Sequence, residues 1–170
     1  MMTGNPNTSI SLTTLPYSPD AVPAMFSRIS HLPWAMLLQS ASAAHPDNRF
    51  DILVADPVAT IVFDGKLNHL SAKTGEAHTE PGDPFAFLCR AQERLLPPLK
   101  AIADLPFIGG ALGYFSYDLG RTVEHLPSIA SNDIGIPGMS VGLYNWALIA
   151  DHQKKRSRLS NPKRMTVFRG

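Results

Sequence analysis

Phe50-Asp51-Ile52-Leu53-Val54-Ala55-Asp56-Pro57-Val58-Ala59-Thr60-Ile61-Val62-Phe63-Asp64-Gly65 is the stretch that decides the fold class. Phe50–Ala55 and Val58–Phe63 are short apolar runs rich in β-branched and aromatic side chains, the composition of strands. Asp56-Pro57 joins them, because proline cannot donate to a ladder, and Asp64-Gly65 is a hairpin signal. Together the runs predict an antiparallel meander. Fifteen prolines and twelve glycines among 170 residues favour turns and strand edges over long helices. The length and the 44% hydrophobic content suit one domain with a real core rather than two.

On the N-terminal side, Thr8–Leu15 alternates roughly at period two and closes at Pro16, which reads as a strand. Ser18 or Asp20 can cap a short helix whose apolar face carries Val22, Met25, Phe26 and Ile29. Trp34–Ser40 is nearly continuously apolar, as a buried strand would be. On the C-terminal side, polar Lys73–Gly82 reads as a loop, and Asp83-Pro84 starts a helix with Leu88, Ala91 and Leu95 buried. Phe107–Tyr117 reads as a glycine-punctuated strand, and Met139–Asp151 is the longest strand expected.

The net charge of +1 hides an asymmetry. Seven of the fifteen Lys and Arg residues (Lys154, Lys155, Arg156, Arg158, Lys163, Arg164, Arg169) follow Asp151, whereas all fourteen acids lie at or before it. Such an end can mean nucleic-acid contact, but with no aromatic interleaving beyond Phe168 and no recognition motif, a solvated, disordered tail is the better reading. Met1–Ser11 lacks a basic region followed by an apolar run, and no apolar stretch approaches bilayer length, so neither secretion nor a membrane is expected and the cytoplasm is. Cys89, the single cysteine, is expected to be a buried thiol.

Gly109-Gly110-Ala111-Leu112-Gly113 suggests a phosphate loop, but it has no Gly-Lys-Ser/Thr ending and Tyr114-Phe115-Ser116-Tyr117 follows in place of a helix. Glycines that let a neighbouring strand approach closely explain it better. The histidines at 31, 45, 69, 78, 125 and 152 lack metal-ligand spacing, and Ser116 with Asp118 and His125 lacks the glycines of a nucleophile elbow. Ser40 with Arg49-Phe50 groups a hydroxyl, a guanidinium and an aromatic ring that could hold a small amphipathic ligand. The plainer alternative is a turn serine, a surface arginine and a core phenylalanine.

Ser30-His31-Leu32-Pro33-Trp34-Ala35-Met36-Leu37-Leu38-Gln39-Ser40, then His45-Pro46 and Arg49-Phe50-Asp51, resemble the N-terminal domain of aminodeoxychorismate synthase component I, of the anthranilate synthase component I family. So do Leu105-Pro106-Phe107, the run from Gly109 to Arg121, and Val141–Ile149, in the same order and spacing. The resemblance implies an α+β fold of mainly antiparallel stacked β-sheets with flanking helices, the N-terminal half of that family's fold. It places this domain at residues 1–152, leaves 153–170 as a basic, disordered or frameshifted tail, and leaves the C-terminal chorismate-binding domain absent.

The implied activity is amination of chorismate to 4-amino-4-deoxychorismate for folate, with a glutamine amidotransferase subunit as partner. The catalytic residues and Mg²⁺ ligands belong to the second domain, so no catalytic or metal residue is carried over and the chain is expected to be inactive alone. The resemblance implies an N-terminal domain similar to one that holds a tryptophan, as inhibitor in the anthranilate enzymes and as a bound ligand in some relatives. The matching positions are Leu38 and Ser40 of Leu-Leu-x-Ser and the loop Asp47, Asn48, Arg49 and Phe50. A free-standing small-molecule or protein-binding module of the same fold is the alternative.

Overall fold

The fold is described from a computed structural model, for residues 10–40, 48–98, 101–102, 104–124 and 134–162. Its elements are β1 (Ile10–Leu15), α1 (Ala21–Ile29), β2 (Met36–Leu38), β3 (Phe50–Val54), β4 (Ala59–Phe63), β5 (Leu67–Ala72), β6 (Ala77–Pro81), α2 (Pro84–Leu95), β7 (Gly110–Phe115), a 3₁₀ helix (Tyr117–Thr122), β8 (Met139–Tyr144), β9 (Ala147–Asp151) and β10 (Arg156–Pro162). Two compact units divide the chain. One comprises Met1–Asp56, Leu96–Gly110 and Tyr144–Gly170, and the other Pro57–Leu95 and Ala111–Leu143.

The first unit holds a five-stranded antiparallel sheet in the order β1-β10-β9-β3-β2. Directly opposed residues on neighbouring strands share a face. The pairs Leu37–Leu53, Leu53–Leu148 and Leu148–Leu159 therefore run as one row of leucines across four strands. Helix α1 covers that row with Val22, Phe26 and Ile29. Each fully buried side chain of this kind stabilises by about 1.5–3 kcal/mol. Met25, expected on the same face, falls at the edge of the stripe and is exposed. Ser160 of β10 is buried, and its Oγ accepts the Ala147 N–H at 3.0 Å and lies 3.0 Å from the Ile108 carbonyl.

The second unit holds the other sheet, β6-β5-β4-β8-β7, with β6-β5-β4-β8 paired antiparallel. Ala59, Ile61 and Phe63 alternate with half-buried Thr60 and Val62, the period of a strand with one covered face. Phe87, Leu88 and Ala91 form the buried stripe of α2. The adjacent Leu96 is buried as well, rather than Leu95. Asp83 Oδ1 accepts the Phe85 N–H at 2.9 Å, the capping role expected of it. A Cβ on Gly113 would stand 2.1 Å from the Ser140 carbonyl oxygen and 2.7 Å from Val141 Cα. The glycine-rich segment therefore exists for close strand packing.

Several expectations need correction. Phe50–Val54 and Ala59–Phe63 are strands but do not pair in a meander, since β3 lies between β9 and β2 whereas β4 lies between β8 and β5. Met139–Asp151 likewise divides into β8 and β9, in different sheets, because the chain turns at Asn145-Trp146. Trp34–Ser40 contains only the three-residue edge strand β2, with Trp34 itself at φ 52°. Polar Ala77–Pro81 is the edge strand β6, where polar side chains are tolerated. Cys89 is exposed.

The largest correction concerns the basic end. Arg156–Pro162 is not a disordered tail but β10, an inner strand paired with β1 on one side and β9 on the other. Arg156 and Arg158 alternate with buried Ser157 and half-buried Leu159, so the charges occupy one face of a strand rather than a solvated run. Residues 163–170 lie outside the described residues.

Gly113→Ala should lower stability by about 3 kcal/mol, because β7 must move off β8 to admit the methyl group. Urea unfolding of wild type and variant measures it, and an unchanged midpoint would contradict the close approach.

Candidate functional site

The ends of β2, β3 and β9 meet in the first unit's sheet. Leu38 opposes Ile52, Ile52 opposes Ile149, and Phe50 opposes Asp151. Leu38, Phe50, Ile52 and Asp151 therefore share the face opposite α1. Leu38 is 50% exposed there, which leaves an apolar strip open at the sheet's β2 edge.

Arg49 closes one end of the strip. Its Nε and Nη2 donate to Asp151 Oδ1 and Oδ2 at 3.1 and 2.8 Å, a bidentate fork that fixes the guanidinium plane. The guanidinium carbon sits 4.5 Å from the centroid of the Phe50 ring. Burial pushes the Asp151 carboxyl up, but the Arg49 hydrogen bonds, the Lys154 amide and the nearby positive charges outweigh it and hold the group below its ordinary range. The same hydrogen bonds raise Arg49.

Ser40 closes the other end. Its hydroxyl donates to the Phe50 carbonyl at 2.6 Å, and its backbone N–H donates to Asp51 Oδ1 at 3.0 Å. Asp51, 1% exposed, lies on the α1 side of the sheet opposite Ala150. Its Oδ2 is 3.1 Å from His152 Nε2, close enough for attraction but not aligned as a hydrogen bond. His152 Nδ1 stands 3.0 Å from the Tyr17 hydroxyl, and the His152 backbone N–H donates to the Arg49 carbonyl at 2.8 Å.

Of the residues expected at a site, Leu38, Ser40, Arg49 and Phe50 come together. Asn48 adjoins them, half-buried, and Asp47 lies outside the described residues. Asp51, Asp151, His152 and Tyr17 were missed. A carboxylate inside Phe50-Asp51-Ile52-Leu53-Val54 was the available signal, since a charge buried in an apolar strand needs a partner. Chemically, the strip offers an apolar surface for a flat ring, with carbonyl and hydroxyl oxygens at its Ser40 end to receive an ammonium group. Arg49, already bound to Asp151, serves as a wall.

Elsewhere, in the second unit, a cleft of about 470 Å³ is lined by Asp64, Ser116, Tyr117, Asp118, Arg121 and apolar neighbours. Phe85 and Phe115 stack at 5.8 Å, and both are exposed, as are Tyr114 and Tyr117. Among the described residues no three His, Cys, Asp or Glu side chains converge as metal ligands, and no helix is long and apolar enough to cross a membrane. His125, one member of the triad considered above, lies outside the described residues.

In structure, the chain is similar to anthranilate synthase component I from Streptococcus pneumoniae TIGR4, with a TM-score of 0.55 at 24% identity over 92% of this chain and 32% of that one. The fold is thus of the anthranilate synthase component I kind, mostly antiparallel sheets with few helices. In sequence, the chain is 49% identical over 148 residues to aminodeoxychorismate synthase component 1 of Salmonella typhimurium and 49% identical over 146 residues to that of Escherichia coli. Each match covers 86% of this chain and 32% of the relative, so the chain spans about one third of the length of these curated relatives. No family model matches. The chain is a homologue of part of aminodeoxychorismate synthase component 1, as its quoted segments implied.

Because the folded-state Asp151 carboxyl titrates below its ordinary 3.8, its contribution is present above that pH and is lost as the pH falls through the lower folded value. Asp151→Asn should be less stable than wild type at neutral pH yet lose less stability on acidification below about pH 4. Urea midpoints at several acidic pH values measure this, and parallel pH profiles would contradict it.

Proposed function

We propose that this chain is the scaffold and tryptophan-holding portion of an aminodeoxychorismate synthase component 1. In the complete enzyme, a glutamine-hydrolysing partner would supply ammonia, and chorismate would be aminated to 4-amino-4-deoxychorismate for folate synthesis. The relatives' designation as component 1 supports the existence of a second component. The observation that carries the ligand reading is that Leu38, Phe50 and Ile52 share one sheet face with Ser40 at its end.

The indole would lie along Leu38 and Phe50, and the α-ammonium would reach the Ser40 hydroxyl and nearby carbonyl oxygens. Mg²⁺ does not fit here, because Asp51 and Asp151 lie on opposite faces of the sheet and Asp151 is held by Arg49. On this reading the ion and the groups that activate chorismate would be supplied by the length of the relatives that this chain does not span.

Calorimetric titration of tryptophan into wild type and Ser40→Phe tests the reading, with a chorismate-plus-ammonia assay of the chain alone beside it. Binding to wild type, its loss in Ser40→Phe and no aminodeoxychorismate are expected. Equal heats in both proteins, or tighter binding of an unrelated amino acid, would sink the site. Turnover by the chain alone would sink the assignment as a non-catalytic portion.

A further inference from the structure

We propose that Tyr17 and His152 are positioning residues of this site, holding the Asp51 carboxyl so that it fixes the Ser40 amide and, with it, the Ser40 hydroxyl at the end of the apolar strip. The inference rests on the reading of Ser40 as a ligand contact.

Asp51 is 1% exposed, and only one of its oxygens, Oδ1, receives a hydrogen bond among the described residues, from the Ser40 amide. A buried carboxyl with a bare second oxygen is free to rotate unless something faces that oxygen. His152 Nε2 faces it at 3.1 Å. His152 is itself held twice, its backbone N–H by the Arg49 carbonyl and its ring by Tyr17, which meets it edge-on at 5.9 Å and 72°.

The Tyr17 hydroxyl and His152 Nδ1 are 3.0 Å apart, and on this proposal the hydroxyl is the donor, which puts the one N–H of a neutral imidazole on Nε2, facing Asp51. The order of control is therefore Tyr17, His152, Asp51, Ser40. These groups come from the segment between β1 and α1, the end of β9, the interior of β3 and the end of β2. Supporting residues of this sort set the orientation of a contact group without touching the ligand.

The test uses the full chain in four forms, wild type, Tyr17→Phe, His152→Leu and His152→Gln, and follows the Ser40 amide by ¹H–¹⁵N NMR alongside tryptophan titration. An amide donating to a carboxyl resonates downfield. His152→Leu should move the Ser40 amide upfield and weaken tryptophan binding about three- to tenfold, as the Ser40 contact loosens. Tyr17→Phe should move it the same way by less, and His152→Gln, which keeps an N–H able to face Asp51, should restore most of both. Unmoved amides in β1 and β10, in the same sheet, would show that the fold is retained.

A Ser40 amide unchanged in both Tyr17→Phe and His152→Leu would overturn the proposal. So would a His152→Gln variant as impaired as His152→Leu. If His152→Leu does not fold, Tyr17→Phe alone decides. Absence of heat with wild type would defeat the tryptophan reading, while the amide shifts still decide the positioning.

Discussion

Arg49 and Asp151, 102 positions apart, are joined by two parallel hydrogen bonds across the ends of β3 and β9. Side chains alternate along a strand, so a slip of β9 by one residue against β3 would take Leu148 out of the leucine row and turn Asp151 toward α1. The fork disfavours that slip, because it would separate the nearly buried carboxylate from its guanidinium. With the register held, Leu38, Phe50 and Ile52 fall on one face, and Arg49 is drawn over the Phe50 ring.

That register needs support from the other side of β9, which β10 provides. The chain turns back at residues 152–155, with Lys155 at φ 48°, and pairs Arg156 with Asp151. The buried Ser160 hydroxyl then ties β10 to Ala147 and Ile108. Without β10, neither β1 nor the outer side of β9 would have a hydrogen-bonding neighbour within this sheet.

Much of the strand content was legible because one-sided burial leaves a period-two pattern, as in Ala59–Phe63, and the α2 start was legible because Asp83-Pro84 is a local signal. Pairing was not, because it is decided by residues a hundred positions away. Nothing within Phe50–Phe63 shows that its two strands part at Asp56-Pro57 into different sheets. The β10 strand was hidden by its charge, since Arg156 and Arg158 look like a solvated run until Ser157 between them and Leu159 after them are weighed. At the site, the resemblance reached Leu38, Ser40, Arg49 and Phe50, which lie close in sequence. It did not reach Asp151, His152 and Tyr17, whose roles exist only once β3 lies on β9.

A double-mutant cycle on Arg49 and Asp151, read by both urea unfolding and tryptophan affinity, tests the dependence of the site on this pairing most directly. Arg49→Ala should destabilise more than Asp151→Ala, since it leaves a carboxylate buried without its partner. The double variant should recover part of that loss, while tryptophan binding falls in all three. Strictly additive stabilities with unchanged tryptophan binding would contradict the account.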